Sequence, residues 1–237
     1  MEVIFRSDMT VELIKHAASD ADVIWAARVS TTGEQSLEEI HAEPDRSAGL
    51  INYLMRDRHG TPFEHSSMTF YLQAPIFVFR EFMRHRTFSY NEESGRYRQL
   101  DPVFYVPGSE RRIVQTGKPG AYQFTEGTPE QHDLVTRRTK ESCLQAYAAY
   151  RAMLDAGVAR EVARAVLPVG LYSSMYATCN ARALMNFLAL RTQHPDAAFP
   201  SFPQREIEMV AEQMEAQWAR LMPLTHAAFE RNGRVCP

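Results

Sequence analysis

The hydrophobic positions of this chain repeat mostly at intervals of three and four residues. In "DRSAGLINYLMRDRHG", Leu50, Tyr53 and Leu54 fall on one helical face, and Gly60 follows as a stop signal. Similar patterns cover residues 128–157 and a long stretch after residue 205. The spacing therefore predicts several amphipathic helices, concentrated in the carboxyl-terminal half of the chain.

Alternation with a period of two is confined to shorter stretches. In "SSMTFYLQAP", Met68, Phe70 and Leu72 alternate with polar or less apolar positions, which predicts a strand. "EVIFRS" and "VGLYSSMYATCN" are predicted to be extended, and the Gly- and Pro-rich residues 87–128 to form loops and short strands. "TVELIKHAASD" and "VAREVARAVLP" have helical spacing, so we predict helices there, the first capped by Thr10.

Strands and helices follow one another in mixed order, with no internal repeat and no obvious linker. Hydrophobic residues make up 45% of the 237 positions and charged residues 23%, which is typical of a folded globular protein. We therefore predict an α+β fold: a mixed sheet with flanking helices and a helix-rich carboxyl-terminal half, in a single domain spanning residues 1–237.

Composition also restricts the partners and the compartment. No apolar run reaches the length of a membrane helix, and the first residues do not form a secretion leader. Cys143, Cys179 and Cys236 are odd in number and form no C-x-x-C pair, which indicates reduced thiols and a cytoplasmic location. A net charge of −3 gives the whole chain no attraction to nucleic acid. We expect neither a membrane nor a nucleic-acid partner.

A cluster of cationic side chains nevertheless lies in "RHRTFSYNEESGRYRQL", residues 84–100. Arginine stays charged at neutral pH and binds phosphate through two parallel hydrogen bonds. The chain has no G-x-G motif, so a phosphorylated ligand must be bound by side chains such as these. Gly95 allows a close backbone approach beside the hydroxyl of Ser94. This segment is therefore a candidate phosphate site.

Two other interpretations of the cluster stay open from the residues alone. Its arginines are equally suited to ion pairs with Glu81, Glu92 and Glu93 on a solvated surface. Its basic and aromatic side chains also resemble a surface that binds single-stranded nucleic acid. The net charge and the lack of a second basic stripe argue against that second alternative.

The motif "HGTPFEH" contains His59, Glu64 and His65, which are possible metal ligands. No further ligand at helical spacing accompanies them, so we predict no metal site. The alternative is a helix start in which Thr61 is the cap and Glu64 completes a capping box.

Polar residues also interrupt the apolar helix predicted for "NARALMNFLALR". Asn180 is placed to cap this helix, and Arg182, Asn186 and Arg191 lie along it. Polar groups within so apolar a segment are solvated, paired or functional.

The triplet Arg84-His85-Arg86, followed after seven residues by Ser94, resembles the R-H-R-x7-S signature of the flavin-dependent thymidylate synthases. Five further blocks resemble that family in the same order, so the resemblance extends to nearly the whole chain. These blocks are "AARVS", "HGTPFEHSSMTF", "APIFVFREFMRHR", "AREVARAVLP" and "NARALMNFLALR".

The resemblance implies a reaction and its cofactors. In this family FAD takes hydride from NADPH, and carbon passes from methylenetetrahydrofolate to deoxyuridine monophosphate (dUMP). The products are thymidylate and tetrahydrofolate, and the enzyme is a homotetramer with shared active sites. A methyltransferase or phosphotransferase that binds a nucleotide without flavin is the remaining enzymatic alternative.

The resemblance also implies site residues. The positions that match flavin contacts are Ser30, Thr61, Arg84, His85, Arg86, Glu92, Asn180, Arg182 and Asn186. Those that match dUMP contacts are Glu81, Arg84, Glu92, Glu93, Ser94, Gly95, Arg96, Arg164 and Arg191. Arg191 is the implied catalytic residue, because a guanidinium stabilises the anion formed when uracil N3 loses its proton. Ser94 is interpreted as a phosphate ligand and not as a nucleophile.

Two features depart from the family pattern. Glu81 stands where many members carry glutamine, so it must point away from phosphate or pair with an arginine. The segment "TQHPDAAFPSFPQ" after Arg191 is longer and richer in proline than usual, and His194 lies within it.

Overall fold

The computed structural model of the protein describes residues 2–33, 36, 40, 44–119 and 121–237, with the side chains of all of these except 44–46. The predicted α+β fold is confirmed. The helices are α1 (Asp20–Thr32), α2 (Pro44–Arg56), α3 (Ile76–Phe82), α4 (Pro129–Asp155), α5 (Arg160–Ala163), α6 (Ala181–Arg191), α7 (Arg205–Leu221) and α8 (Pro223–Arg231). Short 3-10 helices cover Thr61–Glu64 and Arg164–Val166.

The strands are β1 (Ile4–Arg6), β2 (Thr10–Ala17), β3 (Ser67–Pro75), β4 (Ser89–Glu92), β5 (Val103–Tyr105), β6 (Val114–Lys118), β7 (Ala121–Thr125) and β8 (Tyr172–Cys179). Contacts group the chain into two compact units, a grouping that divides β3, β4 and β8. The first unit is Met1–Met9, Gln73–Glu81 and Glu92–Met175, and the second is Thr10–Leu72, Phe82–Asn91 and Tyr176–Pro237. The single domain over residues 1–237 stays a prediction.

The first unit packs the long helix α4 against a small parallel strand pair. β1 pairs with β5 in the register Ile4 to Val103, and Phe104 of β5 is fully buried. Tyr150 of α4 accepts a hydrogen bond at its hydroxyl from the amide of Leu100, at 3.2 Å. Strands β6 and β7 form a separate antiparallel hairpin. The apolar face of α4 thus anchors the loop that follows β4.

The second unit contains most of a four-stranded sheet in the order β2-β3-β8-β4, together with the carboxyl-terminal helices. Gln217 of α7 ties that helix to β2, because its side chain accepts from the amide of Leu13 and donates to the carbonyl of Val11. Trp218 and Phe229 are fully buried and contact each other between α7 and α8. This core supports α6, which carries several candidate site residues.

Two helix predictions are wrong. Residues Thr10–Ala17 form strand β2, because pairing with β3 and the burial of Val11 outweigh a helical spacing carried partly by β-branched residues. The helix predicted for 158–168 is only one turn of α-helix, Arg160–Ala163, followed by a 3-10 turn. It ends because Leu167, which precedes Pro168, is extended at φ −74° and ψ 133°.

Among the helices of the described residues, none combines the length and the apolar character needed to cross a bilayer.

Candidate active site

In the first unit, a turn from Ser94 to Arg98 gathers the residues predicted to bind the phosphate of dUMP. The carbonyl of Ser94 accepts hydrogen bonds from the amides of Tyr97 and Arg98, at 3.0 and 3.1 Å. Gly95 is buried, and a Cβ atom there would lie 2.8 Å from a methyl group of Leu100 and 3.2 Å from Cδ of Arg164. The missing side chain therefore brings the turn against Arg164. Ser94, Gly95, Arg96 and Arg164 are close together, as a phosphate site requires.

The charges around this turn are partly neutralised by carboxylates. Arg96 donates from Nε to Glu161 at 2.9 Å, and both side chains are about half exposed. Arg98 donates to Glu93 and Asp101 at 3.1 and 2.7 Å. The ion-pair interpretation of the sequence cluster is thus correct for Arg98 and Glu93. A phosphate must therefore either displace the Glu161 carboxylate from Arg96 or bind Arg96 together with it.

The other charged side chains of the first unit differ in how available they are to bind an anion. Arg164 is exposed and has no ion-pair partner among the residues that the structure describes. Burial raises the pKa of Glu93, although Arg98 opposes that shift. Glu81 is half-buried near the end of α3 and has an interaction of its own, and Glu92 is exposed at the end of β4. Arg164 is therefore the strongest candidate for a direct phosphate contact.

In the second unit, His85 and Arg191 form a close pair. Nε of Arg191 donates to Nε2 of His85 at 3.0 Å, and His85 is only 6% exposed. Burial, and then the charge of Arg191, lowers the pKa of His85 to about 4. The imidazole is therefore neutral at pH 7, with its proton on Nδ1 and an acceptor facing Arg191. This arrangement fixes the end of the Arg191 side chain at the carboxyl end of α6.

Local contacts hold the turn that carries His85. The hydroxyl of Tyr90 shares its one proton between the carbonyl oxygens of Phe82 and His85, at 2.9 and 2.8 Å. The ring of Phe187 meets His85 edge-on, with centroids 4.9 Å apart. Packing and hydrogen bonds together set the position of the imidazole.

Arg182 lies near the start of α6 and contacts three parts of the second unit. Its Nη1 donates to Glu64, and its Nε donates to the carbonyl oxygen of Pro237 at 2.8 Å. The hydrogen bond that Arg182 donates to Glu64 is the main reason that the pKa of Arg182 is raised. A Cβ atom on Gly60 would lie 2.6 Å from both Cζ and Nε of Arg182. The guanidinium therefore rests directly on the backbone of residue 60.

The remaining predicted flavin positions lie around α6, α1 and the turn after α3. Asn180 caps α6, and its side-chain oxygen accepts from the amide of Ala183 at 2.8 Å, as predicted. The 3-10 helix begins at Thr61 with Gly60 as its cap, so the capping-box alternative for Thr61 and Glu64 is wrong. The exposed members of this set are Ser30, Thr61, Arg84, Arg86 and Asn186.

Arg84 and Arg86 fit a ligand that carries phosphates. Both are exposed, and neither has a carboxylate partner in the described part of the chain. Two unpaired guanidinium groups two positions apart, beside a neutral histidine, are suitable donors for a diphosphate. The side chains present are thus compatible with the flavin dinucleotide that the resemblance implies.

Two partners in this arrangement were not foreseen from the sequence. Glu161 lies three residues before Arg164, a spacing that places both on one helical face, yet its partner is Arg96. Glu64 and Arg182 are 118 positions apart, so no local pattern indicates their ion pair. Only the fold brings these groups together.

The possible ligands of "HGTPFEH" do not form a metal-binding group. The rings of His65 and His59 contact Trp25 and Tyr53, at centroid distances of 5.9 and 5.6 Å. Within the described residues, the one group with metal-ligand spacing is Glu215, His226 and Glu230. Arg234 donates to both glutamates of that group, so an arginine side chain already supplies the cation there.

Comparison with known proteins agrees with this picture along nearly the entire chain. The sequence model of the family "Thymidylate synthase complementing protein" matches residues 12–224. The flavin-dependent thymidylate synthase of Streptomyces avermitilis is 72% identical over 234 residues, which are 98% of this chain and 95% of that protein. The enzyme of the same name from Tropheryma whipplei (strain TW08/27) is 59% identical over 237 residues, which are 100% of this chain and 98% of that protein.

A solved structure has the same fold. The UMP/dUMP methylase PolB from Streptomyces cacaoi, bound with 5-Br UMP, superposes with a TM-score of 0.91 at 56% identity, and the match covers all of both chains. The fold, the signature residues and the extent of these matches agree. This chain belongs to the flavin-dependent thymidylate synthase family.

Proposed function

We propose that this protein is a flavin-dependent thymidylate synthase, a methyltransferase that converts dUMP to thymidylate. The observation that carries the proposal is the match over nearly the full chain, which includes the R-H-R-x7-S residues and the arginines of α6. The phosphate turn at Ser94–Arg98 and the His85–Arg191 pair support it by their geometry. The nucleic-acid alternative has no support in these comparisons, and an enzyme without flavin disagrees with the family.

The overall reaction balances with NADPH as reductant and methylenetetrahydrofolate as carbon donor. The methylene carbon becomes the methyl group of thymidylate, and NADPH supplies the hydride. The two bonds of the methylene carbon to folate nitrogens break, and those nitrogens take up two protons, equivalent to the C5 proton of uracil and one proton from solvent. The products are thymidylate, tetrahydrofolate and NADP⁺. Bound FAD supplies the hydride-transfer chemistry that connects NADPH to the transferred carbon.

The first unit provides the groups that bind the phosphate of dUMP. Ser94 offers its hydroxyl and amide, and Arg96 and Arg164 offer guanidinium groups. Each charge-assisted hydrogen bond contributes roughly 1.5–3 kcal/mol to binding. Two or three of them hold the nucleotide without a glycine-rich loop. Glu81, Glu92 and Glu93, which also match dUMP positions, limit the net positive charge nearby.

Arg191 acts on the uracil ring in this proposal. Its permanent positive charge stabilises the anion left when N3 of uracil loses a proton, which makes the ring carbon C5 more electron-rich. His85 is neutral and accepts from Nε, so the outer nitrogens of Arg191 are directed while its charge is kept. The neutral His85 thus orients the guanidinium of Arg191 without reducing its positive charge.

The flavin is held, in this proposal, by side chains of the second unit. Arg84, His85 and Arg86 bind its phosphates, and Ser30, Thr61, Asn180, Arg182 and Asn186 supply further polar contacts.

The chain carries free thiols at all three cysteines, which suits a cytoplasmic enzyme. We further infer a homotetramer, which light scattering tests as a particle of about four times the 27.1 kDa chain mass.

The decisive experiment measures thymidylate formed by the purified protein under low oxygen, with FAD, NADPH, methylenetetrahydrofolate and dUMP. We expect thymidylate and NADP⁺ in equal amounts, and none when dUMP or the folate is omitted. Arg191→Lys keeps a positive charge but loses the donor to His85, so its kcat is expected to fall about 100-fold to 1000-fold. A protein that binds no flavin and forms no thymidylate contradicts the proposal.

A further inference from the structure

We propose that Gly60 and Glu64 are positioning residues that hold the guanidinium of Arg182 in the orientation required for flavin binding. The inference rests on the proposed function, because it takes Arg182 as a flavin contact. It adds roles for two residues that the resemblance does not include among the flavin-contacting positions. Both belong to the segment that also carries Thr61, a predicted flavin contact.

The absence of a side chain at Gly60 is explained by Arg182 and not by the backbone. Gly60 has φ −76° and ψ −33°, an ordinary right-handed conformation that any residue adopts. A Cβ atom at this position would lie 2.6, 2.6 and 2.8 Å from Cζ, Nε and Nη2 of Arg182. These distances are far below van der Waals contact. Glycine leaves room for the flat guanidinium against the main chain, and a larger residue displaces the end of the Arg182 side chain.

Glu64 and the tail fix the rotation of the guanidinium on this support. Glu64 accepts from Nη1, and the carbonyl oxygen of Pro237 accepts from Nε at 2.8 Å. An arginine has five N–H donors, and these partners take two of them. The Cys236 side chain is a further partner of Arg182, so two donors remain for a ligand. Their directions are set because the guanidinium is planar.

The ion pair itself contributes little to folding stability. The side chains of Glu64 and Arg182 are 41% and 42% exposed, and exposed pairs of this kind contribute about 0–1 kcal/mol. An effect of either residue on flavin affinity is therefore separable from an effect on stability. The arrangement orders a side chain before the ligand arrives, which lowers the entropic cost of binding.

Gly60→Ala is the most direct test, because the group it displaces is the end of a flexible side chain. The backbone tolerates alanine, so we expect a folded protein whose melting temperature is close to that of the wild type. We expect the Kd for FAD, measured by fluorescence titration of flavin-stripped protein, to rise at least tenfold. Gly49→Ala is the matched control, since a Cβ atom there meets nothing within 4 Å. It is expected to leave the Kd unchanged.

A double-mutant cycle separates positioning from a general structural effect. If Gly60 acts through Arg182, Gly60→Ala has no further effect on the Kd in an Arg182→Ala background. Glu64→Gln retains an acceptor and is expected to bind FAD more tightly than Glu64→Ala. If Gly60→Ala fails to fold, the cycle between Glu64→Ala and Arg182→Ala decides in its place.

The outcomes distinguish this inference from the proposed function. A wild-type protein that does not bind FAD overturns the proposed function. A wild-type protein that binds FAD, with folded Gly60→Ala and Glu64→Ala variants of unchanged Kd, overturns only the positioning role. Additive effects of the Gly60 and Arg182 substitutions also overturn it, since they show that Gly60 acts independently of Arg182.

Discussion

At the scale of single residues, the arginines of this protein differ in what each one contacts. Arg96 donates to a carboxylate, Arg191 to a neutral imidazole, and Arg182 to a carboxylate and a carbonyl. Arg164 meets no carboxylate in the described residues. The neighbours of each arginine, and not the guanidinium itself, therefore determine which ligand or role that arginine is suited to.

Replacing Arg96 tests its assignment to the phosphate of dUMP. Arg96→Ala removes a charge-assisted hydrogen bond of roughly 1.5–3 kcal/mol, so the KM for dUMP is expected to rise about tenfold to 100-fold. Steady-state kinetics with varied dUMP measures this change. Arg138→Ala, which removes an exposed ion pair on α4, serves as control and is expected to leave KM unchanged. Equal KM values for the wild type and Arg96→Ala contradict the assignment.

The neutral state of His85 predicts a specific dependence of stability on pH. Its pKa is lowered from 6.5 to about 4 in the folded protein, by burial first and by Arg191 second. Between these values the unfolded chain binds the extra proton, so stability increases with pH through this window. The contribution of His85 is fully present above pH 6.5 and is lost as the pH falls toward 4.

Urea unfolding at about pH 7 and about pH 5 measures that contribution. The wild type is expected to lose more free energy of unfolding between the two conditions than His85→Gln does. Glutamine offers Arg191 an acceptor but does not titrate. An identical loss in both proteins means that His85 titrates normally in the folded state.

At the scale of elements, α6 depends on the cap at its amino end. Asn180→Ala removes the acceptor for the amide of Ala183, and we expect a loss of about 1 kcal/mol in the free energy of unfolding. Asn180→Ser restores a capping oxygen and is expected to recover most of that loss. Thermal unfolding of flavin-stripped protein measures the difference. A serine variant as unstable as the alanine variant shows that the cap is not the source of the loss.

The elements predicted from periodicity were correct where the pattern was long or strictly alternating. α4 and α7 have long apolar stripes, and β3 alternates cleanly, so local pattern and tertiary environment agree. The helix prediction for the segment that forms β2 was wrong, because the conformation of this segment depends on pairing with β3. That strand lies more than 50 positions further along the chain. A short segment with few apolar residues does not contain that information.

Contacts within the candidate site were also only partly predictable from the sequence. The signature residues were identified through resemblance, and the cap at Asn180 through local pattern alone. The ion pair of Glu64 with Arg182 and the hydrogen bond between Arg191 and His85 join residues more than 100 positions apart. Such contacts depend on how α6 packs in the fold, and a single sequence does not reveal that packing.

At the scale of the whole molecule, an ion cluster around the buried Arg234 connects the tail to the end of α6. Arg234 is 4% exposed and donates to Glu215, Glu230 and the hydroxyl of Thr192, the residue after Arg191. Burial favours a higher pKa for Glu215, but the hydrogen bonds from His226 and Arg234 outweigh it and hold the pKa at about 2. Glu215 therefore remains ionised across the physiological range.

Removing the arginine from this cluster leaves the partly buried carboxylates of Glu215 and Glu230 without their guanidinium partner. Arg234→Ala is expected to lower the free energy of unfolding by roughly 3–5 kcal/mol. Arg205→Ala, which removes a more exposed arginine from its pairs with Glu208 and Glu212, is the matched control and is expected to cost less than about 1 kcal/mol. Urea unfolding of both variants provides the comparison. Similar losses in the two variants contradict a special role for the ion cluster.

Helix α6 also constrains how this family changes in length during evolution. An α-helix turns by about 100° per residue, so an insertion between Asn186 and Arg191 swings Arg191 away from His85 while Arg182 stays on Gly60. Gaps in alignments of relatives are therefore expected to avoid residues 182–191. The irregular segment 193–204 that follows has no such phase to preserve, and the extra prolines of this chain lie there. Variation in chain length is therefore expected just beyond α6, where it leaves the positions of Arg182 and Arg191 on the helix unchanged.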